Sequence, residues 1–235
     1  MHTRTFQADS DGAVTVDLRG YDSDIEVVAD PNCTRGYVEV YTEATSGPSV
    51  RAIDELPPTR GQDLMVRLPE SGVGGGVSVV STGRGFSSTM ISGGGDATMV
   101  ANGQRIEVRG GRTYVNGVDV TSGAAGGPGE GPATPIHFRA VVPYGSTLKA
   151  RTYSGRVVSR EMSAVQIKTY SGDVRATGLA EQSRIKTYSG DVIVGAAAGR
   201  RPAVEADTYS GDIVALDDEI RLRPKTYSGR VRYPS

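Results

Sequence analysis

The sequence predicts an all-β chain whose C-terminal part is a β-solenoid, parallel and β-helix-like, with right-handed coils and a Gly-rich antiparallel hairpin excursion before it. Three observations lead there. The tetrapeptide Thr-Tyr-Ser-Gly occurs five times, at residues 152–155, 169–172, 187–190, 208–211 and 226–229. The residues on either side of each copy alternate between polar and apolar. The 235-residue chain has no Trp, three Phe and 32 Gly, which suits thin layers of small aliphatic residues better than a thick aromatic core.

The repeat is read first, because self-similarity at a fixed period governs every other assignment. Tyr153, Tyr170, Tyr188, Tyr209 and Tyr227 are 17, 18, 21 and 18 residues apart, the length of one short coil. Three residues before each Thr stand Lys149, Gln166, Arg184, Glu205 and Arg223; two before stand Ala150, Ile167, Ile185, Ala206 and Pro224; one before stand Arg151, Lys168, Lys186, Asp207 and Lys225. This polar, apolar, polar order is the period of two of a half-buried strand, and it points Thr inward and Tyr outward. After the turn come Arg156, Asp173, Asp191, Asp212 and Arg230, then the apolar Val157, Val174, Val192, Ile213 and Val231, which open a second strand. Each unit is thus strand, tight Ser-Gly turn, strand, with Gly expected for its freedom at a sharp bend. One unit cannot bury its apolar face alone. Stacked coils about 4.8 Å apart satisfy the backbone and build a continuous core. Parallel crossovers are overwhelmingly right-handed, which sets the expected hand. An antiparallel meander is disfavoured, because it would reverse every second copy while these recur in phase.

Upstream, Val16, Leu18, Gly20, Tyr21, Asp22, Ser23, Asp24, Ile25 and Val27 follow the same order as a degenerate copy. Residues 1–70 are therefore expected to be stacked strands of the same solenoid, with further strands at residues 37–41 and 64–68. Residues 71–135 form a second region: 18 of the 32 glycines lie in residues 71–131. Asn102-Gly103 and Asn116-Gly117 stand between alternating runs, a two-residue hairpin signal. Residues 71–95 read as a loop and 121–135 as a Gly/Pro linker. Residues 136–235 are the repeat solenoid.

The Thr-Tyr-Ser-Gly-Asp-Val units at residues 169–174 and 187–192 resemble a bacterial β-strand-repeat family catalogued as adhesins with a domain of unknown function. The resemblance covers about residues 148–232, with a weaker match in the N-terminal strands. It implies a β-solenoid, and it brings no catalytic or ligand residues to carry over.

A formal charge of -1 offers no general basic field, so nucleic acid is not expected as a partner. No apolar run is long enough for a signal peptide or a membrane span, which points to a cytoplasmic chain, with a surface role left open. Cys33 is the single cysteine and reads as an inert thiol. His2 and His137 are the two histidines, too few for a metal cluster or an acid-base pair.

The surface of most interest is the tyrosine column Tyr153, Tyr170, Tyr188, Tyr209 and Tyr227, able to serve a protein or glycan partner or simply to stabilise the ladder. Asp173, Asp191 and Asp212 form a second column, read as solvated turn carboxylates rather than calcium ligands. The Gly runs at residues 72–76 and 93–95 lack the Lys-Ser/Thr and helix of a phosphate loop. No catalytic residue, metal or cofactor is expected. The expected function is a non-catalytic structural or protein-interaction domain; an adhesin or glycan-binding module is the alternative, and a carbohydrate-active enzyme comes last. The final coil is expected to be blunted by Arg230, Arg232 and Pro234, which would keep the protein monomeric or a small oligomer.

Overall fold

The computed structural model describes residues 1–59, 61, 63–68, 97–101, 104–109, 112–115, 118–119 and 134–234. These fall into two compact units, Met1–Glu70 with Thr134–Ser235, and Ser71–Ala133.

In the first unit, the strand entering each Thr-Tyr-Ser-Gly joins one sheet and the strand leaving it joins another. The entering strands are β11 (Thr147–Ser154), β13 (Ala164–Ser171), β15 (Ser183–Lys186), β17 (Ala203–Thr208) and β19 (Arg221–Thr226). Those leaving are β12 (Val157–Arg160), β14 (Val174–Leu179), β16 (Val192–Ala196), β18 (Ile213–Ala215) and β20 (Val231–Arg232). Neighbouring copies pair in parallel and in phase: Ala150 faces Ile167, Ile167 faces Ile185, and Ile185 faces Ala206. In the other sheet Val157, Val174, Val192, Ile213 and Val231 align in the same way. Like therefore lies on like, and Ile167, Ile185, Val174, Val192, Val204 and Ile213 are all buried. Each such side chain is worth roughly 1.5–3 kcal/mol on leaving water.

The degenerate N-terminal copy is a sixth layer. Its strands β2 (Thr15–Arg19) and β3 (Ile25–Ala29) pair in parallel with β11 and β12, with Leu18 opposite Ala150 and Ile25 opposite Val157. β5 (Leu64–Arg67) adds in parallel beyond β2 and completes a seven-stranded sheet, β19-β17-β15-β13-β11-β2-β5. Beyond β3 lie β10 (Ile136–Val142), β4 (Tyr37–Thr42) and β1 (His2–Gln7), giving a nine-stranded sheet, β1-β4-β10-β3-β12-β14-β16-β18-β20. Here the uniform stacking expected of residues 1–70 is corrected, because β4 runs antiparallel to both β1 and β10.

Four more details depart from the sequence reading. A seven-residue helix, α1 (Pro48–Asp54), interrupts the N-terminal strands; it starts on a proline and buries only Ser49 and Ile53, too little periodicity to detect. Val231 is half-buried and not enclosed, because β20 pairs on one side only among the described strands. Lys186 is also half-buried, drawn against Asp207 at 3.1 Å. The turn glycines, finally, are needed less for backbone freedom than for closeness. Of the five repeat glycines Gly155 alone has positive φ, whereas a Cβ on Gly190 or Gly211 would strike the carbonyl of the glycine one repeat before.

In the second unit, β6 (Ala97–Ala101), β7 (Gln104–Arg109), β8 (Arg112–Val115) and β9 (Val118–Asp119) form an antiparallel four-stranded sheet in chain order. Ala101 faces Gln104 and Val115 faces Val118, the pairing that two-residue hairpins require. The expected loop at residues 71–95, the linker as far as residue 133 and both Asn-Gly turns lie outside the described residues.

Candidate functional site

The outward face of the seven-stranded sheet collects the polar columns of the repeat. Alternation along each strand decides which residues reach it. Thr152, Thr169, Thr187 and Thr208 turn inward and are buried, while the following tyrosine of each copy turns outward. The buried threonine hydroxyl would be costly without a partner. Each finds a carbonyl one repeat back: Thr208 donates to Gly190 at 3.2 Å, Thr226 to Gly211 at 3.1 Å, and Thr152 to Tyr21 at 2.7 Å. The threonine thereby locks each turn onto its predecessor.

The five predicted tyrosines come together as one ladder, and Tyr21 of the degenerate copy adds a sixth ring. Centroids are 4.8–4.9 Å apart and planes 1–9° from parallel along the series Tyr21, Tyr153, Tyr170, Tyr188, Tyr209, Tyr227. The spacing is that of hydrogen-bonded strands. Tyr153, Tyr170, Tyr188 and Tyr209 are each 45–46% exposed, and Tyr227, stacked on one side only among the described residues, is 79% exposed. Both faces of the four inner rings are covered by neighbours. What they offer outward is a line of ring edges and phenolic hydroxyls, and none of these hydroxyls bonds to another described protein group.

Beside the ladder run the two charged columns. At the outward positions of the seven strands stand ten Lys or Arg against three Asp or Glu, in a chain whose formal charge is -1. The net charge had hidden this face, because composition averages over surfaces that the fold separates. Ion pairs cover part of it: Arg184 to Glu205 at 3.0 Å, Lys186 to Asp207 at 3.1 Å, and Arg19 and Arg67 to Asp17 at 3.4 and 2.5 Å. Lys149, Arg151 and Lys168 have no such partner among the described residues.

The aspartate column turns out to be structural. Asp24 accepts the backbone N–H of Arg156 at 2.8 Å, Asp173 that of Asp191 at 3.0 Å, Asp191 that of Asp212 at 2.8 Å, and Asp212 that of Arg230 at 2.9 Å. Each carboxylate thus caps the next repeat's turn, where strand pairing lapses. Cys33 is half-buried, its Sγ donating to the Arg35 carbonyl at 3.2 Å; burial and the Asp30 carboxylate push its thiol above the usual range, against the lowering effect of the Arg35 backbone. His137 accepts the Asp24 N–H at 3.2 Å and leans on Tyr41, 5.4 Å between rings; His2 pairs with Asp54 at 2.9 Å, far along the chain from the repeats. Among the described residues no group of three or more His, Cys, Asp or Glu could hold a metal ion, and no helix is long and apolar enough to cross a membrane.

No protein-family model matches the chain, and no curated protein matches its sequence. The family resemblance therefore stands on the Thr-Tyr-Ser-Gly-Asp-Val motifs alone. Among solved structures, one described as that of a "putative cell adhesion protein" from Clostridium sporogenes matches over 99% of this chain and 97% of that one, at 6% sequence identity and a TM-score of 0.42.

Proposed function

We propose that this chain is a β-solenoid, right-handed by the general preference of parallel crossovers, that works without catalysis as an interaction scaffold. Its binding surface is the outward face bearing the tyrosine ladder. The in-phase parallel pairing of successive coils in two sheets supports the solenoid. The observation that carries the functional reading is the uninterrupted six-ring ladder with its unpartnered hydroxyls, flanked on the same strands by cations. A non-catalytic role is supported by the commitment of Asp173, Asp191 and Asp212 to backbone N–H groups, which leaves that column poorly placed for acid-base work.

The test is a triple variant, Tyr170→Ser, Tyr188→Ser and Tyr209→Ser, checked for retained β-structure by circular dichroism and then compared with the parent chain on immobilised glycans and proteins. Loss of a ligand that the parent retains supports the reading. Identical binding profiles would reduce the ladder to a structural device.

A further inference from the structure

Arg19, Arg151, Lys168 and Lys186 stand directly opposite one another on four adjacent strands, a column of like charge at strand spacing. Like charges in that relation destabilise a sheet. At the two ends the fold supplies relief, Asp17 for Arg19 and Asp207 for Lys186. In the middle it supplies none, since Arg151 and Lys168 are exposed and unpaired, and Lys149 next to them is also free among the described residues. The rings do not help, because no described Lys or Arg of this column lies over a tyrosine. Solvation lowers this cost, yet the arrangement gains nothing for the folded chain by itself. A ligand with negative charges in a row would turn it from a cost into a gain.

We infer that this face binds an extended carboxylated polysaccharide, its acid groups along the Arg151–Lys168 column and its hydroxyls along the tyrosine hydroxyls. This rests on the reading of the same face as the binding surface, and names its ligand. Charge complementarity selects a polyanion, and guanidinium groups are matched to carboxylates by their paired N–H donors. The ladder decides between kinds of polyanion. Single-stranded nucleic acid is held by bases stacking on open aromatic faces, and here Tyr153, Tyr170, Tyr188 and Tyr209 have both faces occupied. A row of phenolic groups that can donate and accept suits instead a polymer carrying hydroxyls on every unit. The in-phase parallel strands set the cations of successive repeats in a row that such a polymer can follow.

The experiment titrates the full chain with polygalacturonate oligomers, with neutral dextran oligomers of equal length and with a single-stranded oligonucleotide as comparisons. Polygalacturonate should bind, dextran should not, and the oligonucleotide should bind more weakly. With Lys149, Arg151 and Lys168 engaged, affinity should fall roughly twenty-fold between about 50 and 200 mM salt, taking the single-strand counterion-release slope as the guide. The pair Arg151→Glu and Lys168→Glu should abolish binding, and the milder pair Arg151→Gln and Lys168→Gln should reduce it tenfold or more. Arg175→Glu, an exposed change in β14 of the other sheet, should leave it unchanged and so controls for net charge. Tighter binding of the oligonucleotide, or polygalacturonate binding that ignores both Arg151/Lys168 pairs, overturns the inference. If polygalacturonate fails to bind while the triple tyrosine variant still loses another ligand, the acidic-glycan assignment falls and the scaffold reading survives.

Discussion

The ring of Tyr21 lies 4.9 Å from that of Tyr153 with 4° between their planes, although the whole of the second unit separates them in the chain. That contact joins the N-terminal copy to the first perfect repeat. Around it Thr152 donates to the Tyr21 carbonyl, Ser154 donates to Asp22 at 2.5 Å and Asp24 caps Arg156. The bonds seen between adjacent repeats thus recur across this long gap in the chain.

Ile185 is fully buried between Ile167 and Ala206. Ile185→Ala should therefore cost about 2–5 kcal/mol, the usual result of emptying a large aliphatic site. Urea unfolding measures it, and a change below about 0.5 kcal/mol, typical of surface positions, would remove Ile185 from the core.

Gly211 presses on the Gly190 carbonyl, so Gly211→Ala should destabilise although the same change at a tolerant site stabilises by about 0.4–1 kcal/mol. The sign of the shift in melting temperature is the readout. A higher melting temperature would mean that the repeats can part at the turn without loss.

Ser159 is fully buried and its hydroxyl has no partner among the described residues, in a column where the next strand carries Ala176. Burying a hydroxyl unbonded costs about 1–3 kcal/mol, so Ser159→Ala should raise stability by about 1 kcal/mol. Lower stability in the variant would show that the hydroxyl holds a water.

Pro224 blunts the edge of the seven-stranded sheet. Arg221 donates its N–H to Pro202, toward β17, so by alternation the N–H of residue 224 would face away from the sheet, and proline removes it. Arg232, assigned to edge protection by sequence, instead reaches back to Asp212 at 3.0 Å. Pro224→Val should restore the donor and promote association through β19, seen as larger species by light scattering. An unchanged size distribution would place edge protection in the flanking Arg221, Arg223 and Lys225.

The repeats by themselves determined the strands, their inward and outward residues and the tyrosine column, because a period of two within a repeat and a period near 18 between repeats are local patterns that survive in one dimension. The degenerate copy was legible for the same reason, through Val16, Leu18, Tyr21, Ile25 and Val27. Tertiary structure alone decided the rest. Strand pairing across a long chain gap put Tyr21 on the ladder, and antiparallel β1 and β4 with the short α1 came from contacts that no periodicity records. Close stacking, not backbone freedom, set Gly172, Gly190, Gly211 and Gly229. The basic face emerged only on folding, because a net charge of -1 is a sum over all surfaces, whereas a ligand meets one of them.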